Sequence, residues 1–398
     1  MNPSVAPVTS ATPVASAAPV VFEELTAANG RRIGVATLAS EKTLHAISLE
    51  MVKLLTPQLR QWQADPDVAM VILQAQGEKA FCAGGDLQHL YRAMREHHAA
   101  LDRDDIRGNR YAAEFFEHEY RLDYLIHSFA KPILCWGHGI VMGGGIGLMA
   151  GCSHRVVTEK SRLAMPEITI GLYPDVGGSW FLARMPGKTG VFLALTGANL
   201  NANDALFAGL ADYRVAHASK AAVIDALLSQ DWGQGRDAEL VDRVLAAAQE
   251  ASTSDGAPGF AASNLRGHFD QIEALCRKPG LPEIVEGILA LQTEDPWLLK
   301  AIATLRAGSP GSAWLGYALQ KRVRHLSLAQ VFRLEFVVSL HCAARPDFVE
   351  GIRALIIEKD QKPQWQPARL ADATPQWVEG FFADPWPAAQ HPLADLGA

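Results

Sequence analysis

Two glycine turns limit most what this chain can become: Cys82-Ala83-Gly84-Gly85-Asp86 and Met142-Gly143-Gly144-Gly145. Each comes after an apolar, strand-like run (Val68 to Leu73, Pro132 to Trp136) and precedes a helix-like run. This rhythm of strand, turn and helix predicts an α/β fold with largely parallel pairing through the first half. Two such turns can aim bare backbone N–H groups at one point, the construction of an oxyanion hole. Glycine suits them because a side chain would block a carbonyl oxygen from the amides.

The surrounding pattern extends the rhythm. VFEEL and RRIGVATLA flank Asn29-Gly30 and read as a hairpin. Ser48 opens a helix with Met51, Leu54, Leu55 and Leu59 inward and Pro57 as a kink. Residues from about 87 to 128 read as helix. A helix from Gly144 to about Cys152, a strand His154 to Thr158 and the loop MPEITIGLYPDVGG complete a third unit. Beyond about residue 216 the strands stop, STSDGAPGFAAS at 252–263 reads as a loop, and amphipathic helices follow, with Leu328, Val331, Phe332 and Phe336 on one face. The expected division is a disordered leader at 1–20, a core carrying the active site at 21–215, and a mainly helical region at 216–398.

Composition narrows the function classes. A chain of 398 residues, 49% hydrophobic, can bury a full core, and its net charge of −7 argues against a nucleic-acid partner. Five cysteines without a CxxC pair suggest neither a disulfide framework nor a zinc site, and a reducing, cytoplasmic setting is expected. The leader has no basic residue before Arg31, so it does not read as a secretory or mitochondrial signal. Ile140 to Gly151 is too short for a membrane span, and no membrane partner is expected.

The glycines around the second turn also approximate a dinucleotide fingerprint, but Gly145 to Glu159 is too short for the crossover helix and the ribose-binding acid such a unit needs. The acids point elsewhere. Glu167 lies in Met-Pro-Glu and Asp175 in Tyr-Pro-Asp-Val-Gly-Gly. Either alone reads as a cap or a surface charge. Beside an apolar cleft they could act as base or nucleophile. Pro166, Pro174 and glycines 171, 177 and 178 predict a rigid loop.

KAFCAGGDL, HGIVMGGGIGL and MPEITIGLYPDVGG together resemble the crotonase (enoyl-CoA hydratase/isomerase) superfamily, and with EGIRALIIEKDQKPQW its 3-hydroxyisobutyryl-CoA hydrolase branch. The resemblance implies a spiral of ββα units and a short 3-hydroxyacyl-CoA as substrate. By motif position it implies an oxyanion hole from Gly85 and Gly144, catalytic Glu167 and Asp175, substrate contacts from Glu119, Gly144, Glu167 and Asp175, and CoA contacts from Ala83 and Gly85. Coenzyme A enters as part of the substrate; neither metal nor other cofactor is implied, and the resemblance allows a homo-oligomer. Two departures stand out. The second glutamate of the hydratases falls at Gly147, and His45 stands where the family usually has Asn.

The missing glutamate favours hydrolysis over hydration. Isomerisation, which can use one glutamate, survives better than hydration, and a non-catalytic acyl-CoA or RNA-binding member is a further alternative. A serine hydrolase is disfavoured because no GxSxG elbow is present. Cys82 beside the first turn reads as a small buried residue, since no motif places a His partner.

Overall fold

The computed structural model describes residues 18–253 and 259–397. Strands β1 (Val20–Thr26) and β2 (Arg32–Leu38) form the expected hairpin, with Gly30 at φ 84° in the turn. Val20 is buried and pairs with Leu38, so β1 starts before the expected boundary at 21; residues 1–17 of that leader lie outside the described residues. Helix α1 (Leu49–Ala64) is capped by the Ser48 side chain, which accepts the Met51 N–H, and it buries Met51, Leu55 and Leu59, while Leu54 is half-buried on the flank. It runs unbroken through Pro57. Lys53, whose carbonyl loses its donor there, is exposed.

Three strand pairs follow: β3 (Val68–Ala75) with β4 (Ala80–Cys82), β5 (Ile133–Gly137) with β6 (Ile140–Met142), and β7 (His154–Val157) with β8 (Arg162–Ala164). The first member of each pair joins a six-stranded sheet ordered β1-β2-β3-β5-β7-β9, where β9 is Tyr213–Arg214; the second joins a three-stranded sheet ordered β4-β6-β8. Apart from β1 with β2, the pairing is parallel. Helices α2 (Leu87–His98) and α3 (Arg110–His127) come after β4, and α4 (Gly144–Ala150) comes after β6, which is the ββα spiral. Register then places the site: Cys82 pairs with Val141 and Met142 with Ala164, so both glycine turns and the Met165-Pro166-Glu167 segment leave the same end of the small sheet.

The large sheet is covered on both faces, as a parallel sheet requires. In β3, Val71 and Leu73 enter the main core, whereas Met70 and Ile72 face a second core made with the helices Lys220–Leu228 and Asp237–Ala251. The change of element type after residue 216 is therefore not a break in packing.

Two expectations are corrected. The stretch 87–128 is two helices separated by turns over residues 99–109, and the Asn109 side chain caps α3 by accepting the Ala112 N–H. The helix Leu328–Ala344 is not amphipathic; of its residues only Gln330 is exposed. It packs against α3, and that contact brings its polar residues to the site. In the expected loop at 252–263, residues 254–258 lie outside the described residues, and Ser263 caps the next helix.

Candidate active site

The two turns meet at a close approach that only glycine permits. A Cβ at Gly145 would lie 2.4 Å from the Cys82 carbonyl oxygen, and one at Gly144 would lie 2.8 Å from Glu119 Oε1. Gly143 adopts φ 50° to start α4. The first turn is held by an isolated bridge to Ile47, in which Ile47 N–H donates to the Gly84 carbonyl and Asp86 N–H to that of Ile47. This turns the Gly85 N–H the other way. Among the described residues neither it nor the Gly144 N–H donates to any acceptor, and both glycines line one cavity of about 230 Å3. Gly144 is the first residue of α4, so its amide is one of the unpaired donors of a helix start.

Three acids close on this point. Glu167, Asp175 and Glu119 line the same cavity and are only 4%, 5% and 3% exposed, so none is a surface charge. Glu119 lies on the buried stripe of α3 (Phe115, Phe116, Glu119, Tyr120, Asp123). The Glu167 Oε2 has no hydrogen-bond partner among the described residues, and Oε1 sits 3.0 Å from where a Cβ at Gly143 would lie. Burial, and then the Asp175 charge, pushes the carboxyls of Glu167 and Glu119 well above the usual range. Burial also pushes Asp175 up to about 6, opposed by a hydrogen bond from the Tyr120 hydroxyl to Oδ2 at 2.7 Å.

The rigidity expected of the Asp175 loop comes from a residue no motif indicated. Val176, β-branched, is held at φ 53°, and Gly177 at φ 82°. Glu335, fully buried on the Leu328–Ala344 helix, accepts the N–H groups of Gly177 (2.8 Å) and Ser179 (3.0 Å). Burial pushes Glu335 up to about 8 and the two donors oppose it. Its one sequence signal is a lone acid within the apolar run VFRLEFVVSL. Glu335→Ala should cost about 2 kcal/mol or more of stability, because two buried N–H groups lose their acceptor. A urea midpoint equal to wild type would refute that role.

Other sequence-marked residues fall into place. The Ala83 N–H donates to Leu44, and among the described residues no N–H donates to its own carbonyl, which leaves that oxygen for a ligand in the cavity it lines. His45 is buried at φ 56°, with Nδ1 accepting from Ser40 N–H and Nε2 on the Gln76 carbonyl, so it shapes the strap that holds Ala83. Cys82 is fully buried and its thiol is pushed up to about 12 by burial, which removes it as a nucleophile. All five cysteines are free and buried.

A family model described as enoyl-CoA hydratase/isomerase matches residues 33–382. The chain belongs to the enoyl-CoA hydratase/isomerase (crotonase) family. It is 37% identical over 366 residues to a protein named 3-hydroxyisobutyryl-CoA hydrolase, mitochondrial, from Danio rerio, covering 92% of this chain and 89% of that one. The Homo sapiens protein of that name is 35% identical over 349 residues, covering 88% and 86%. Among solved structures, a carnitinyl-CoA dehydratase from Mycobacterium thermoresistibile superposes with TM-score 0.77 at 31% identity, covering 92% of this chain and 96% of that one. An enoyl-CoA hydratase from Rhodobacter sphaeroides gives 0.75 at 33%, covering 92% and 97%.

Gly147 leaves no room for a side chain. A Cβ there would meet Val176 Cβ at 2.7 Å and Asp123 Oδ2 at 3.1 Å, so the space a glutamate at this position would need is already filled. Asp123 is itself fully buried, and among the described residues neither carboxyl oxygen has a partner. The relatives' names place those proteins in mitochondria, which gives the cytoplasmic expectation no support. Among the described residues no helix is long and apolar enough to cross a membrane.

Proposed function

We propose that this chain hydrolyses the thioester of a short 3-hydroxyacyl-CoA, 3-hydroxyisobutyryl-CoA, to 3-hydroxyisobutyrate and free CoA. The observation that carries the reading is the acid set of the cavity: Glu167 and Asp175 beside two unpaired amides, with the second hydratase carboxylate sterically excluded at Gly147. The names of the relatives support the same substrate.

In this reading the Gly85 and Gly144 N–H groups receive the thioester oxygen and stabilise the charge that builds on it, assisted by the dipole at the start of α4. Glu167 either takes a proton from water as the water oxygen adds to the carbonyl carbon, and passes that proton to the thiolate as the C–S bond breaks, or its carboxylate adds directly and the C–S bond breaks to leave an acyl anhydride. On the second route water then hydrolyses the anhydride, which frees Glu167, and a proton of that water goes to the thiolate, so both routes end at the acid and free CoA. Asp175 accepts the 3-hydroxyl or the water, Glu119 contacts the acyl group, and Ala83 and Gly85 contact CoA. No metal or redox group takes part in this chemistry.

The decisive assay follows free thiol from 3-hydroxyisobutyryl-CoA, with hydration of crotonyl-CoA measured in parallel. Hydration without thiol release would overturn the proposal in favour of a hydratase, the activity for which the Rhodobacter relative is named. Asp175→Asn should depress kcat/KM more for the hydroxylated substrate than for isobutyryl-CoA. The gap should be about 1–3 kcal/mol, the cost of weakening one buried polar contact. Equal losses on both substrates would remove the 3-hydroxyl from the role assigned to Asp175.

A further inference from the structure

We infer that Tyr120 and Ser339 are positioning residues that hold Asp175 as an oriented, ionised acceptor through a chain of hydroxyl groups reaching in from the Leu328–Ala344 helix. The inference rests on the hydrolase reading only in giving Asp175 a catalytic task. The chain itself is structural. The Tyr120 hydroxyl donates to Asp175 Oδ2 at 2.7 Å and lies 2.7 Å from Ser339 Oγ; Ser339 Oγ lies 2.9 Å from the Tyr173 hydroxyl, which is 2.8 Å from the Glu335 carbonyl oxygen.

Counting hydrogens sets its direction. Tyr120 has one proton, and an ionised Asp175 takes it, so Ser339 must donate to Tyr120. Ser339 then has no proton left for Tyr173, whose single hydroxyl proton is shared between the Glu335 carbonyl at 2.8 Å and Ser339 Oγ at 2.9 Å. The Tyr120 and Ser339 O–H dipoles therefore run toward Oδ2, and hydrogen bonds aligned head to tail strengthen one another.

The electrostatic surroundings make this chain necessary. Around Asp175 stand Glu119, Tyr120 and Asp123 from α3, Glu167 from the segment beyond β8, Tyr173 from its own loop, and Glu335 and Cys342 from the Leu328–Ala344 helix. All are acidic or neutral. No cation of the described residues appears among the influences on Asp175, and burial by itself drives it toward the neutral acid. Side-chain stabilisation of the anion comes from the Tyr120 hydroxyl. The same helix also fixes the backbone beside Asp175, through Glu335 on Gly177 and Ser179. A segment late in the chain thus sets both the ionisation and the orientation of an acid in the first half.

The test is the pH profile of kcat for thiol release in Tyr120→Phe, Ser339→Ala and Ser339→Thr, with folding checked by thermal melting. Losing the donor raises the pH at which Asp175 ionises. The acid limb should therefore move upward by about one pH unit in Tyr120→Phe, since a hydrogen bond to a charged group is worth about that much. Ser339→Ala should shift it in the same direction by less, and Ser339→Thr, which keeps the hydroxyl, should restore it. Folded Tyr120→Phe and Ser339→Ala proteins whose rates fall equally at every pH, with the limb unmoved, would overturn the inference. A second readout does not need activity: the infrared band of the protonated carboxyl lost in Asp175→Asn, followed against pH in each hydroxyl variant. Absence of thiol release in the wild type would sink the hydrolase reading, while an unshifted band in Tyr120→Phe would sink this one.

Discussion

Glu167→Gln is expected to lower kcat for thiol release from 3-hydroxyisobutyryl-CoA by about 10²- to 10⁴-fold, the usual weight of a positioned acid–base group, with KM changed far less. The substitution keeps the shape of the side chain and removes its proton affinity. Glu167 Oε2 is buried, without a partner among the described residues, in the cavity that holds the two unpaired amides, so ground-state packing gives it little to lose. Burial and the neighbouring Asp175 raise its carboxyl well above the usual range, which makes the carboxylate a stronger base when it forms. Steady-state kinetics of the purified variant check this. A kcat within about tenfold of wild type, a difference of only about 1.4 kcal/mol in barrier, would remove Glu167 from the chemistry and shift attention to Asp175.

How far the site could be read from the sequence depended on whether each constraint is local. The glycine turns were legible because close backbone approach leaves glycine as the only residue that fits, and Gly145 against Cys82 is that case. Glu167 and Asp175 were legible through the prolines and glycines that shape their loop. Glu119 came only from the resemblance, and what places it inward is its register with Phe115, Phe116 and Tyr120 on α3.

The supporting residues were not legible, because they act across the fold. Ser339 and Glu335 stand in an apolar run, where they look like interruptions of one face. In fact the helix is buried nearly all round, and Glu335 is matched to two N–H groups of the Asp175 loop and Ser339 to the Tyr120 hydroxyl. The hairpin, the largely parallel pairing of the first half and the end of the strands after residue 216 followed from pattern, whereas the three-residue strands β4, β6 and β8 that lead into the site were too short to show a period. The break over 99–109 ends in a turn and cap signal, Gly108-Asn109, that the helical periodicity on either side obscured.

Restoring a glutamate at the hydratase position should fail to restore hydration. In Gly147→Glu the new Cβ would enter 2.7 Å from Val176 Cβ and 3.1 Å from Asp123 Oδ2, on a residue pair that cannot retreat easily: Val176 is pinned at φ 53° and flanked by the Glu335 contacts to Gly177 and Ser179. The added carboxyl would also join Asp123, whose two oxygens are buried and unpartnered among the described residues. Overpacking and an unsatisfied buried polar group together should cost about 3 kcal/mol or more. A lowered melting temperature, lost thiol release and no gain in crotonyl-CoA hydration are therefore expected. A stable Gly147→Glu protein that hydrates crotonyl-CoA would mean that the loop carrying Val176 yields, and that the choice of reaction rests on residue 147 alone. The expected failure would place that choice in the whole packing unit of Gly147, Val176 and Asp123, where hydrolysis is selected by occupying the space a second catalytic carboxylate would need.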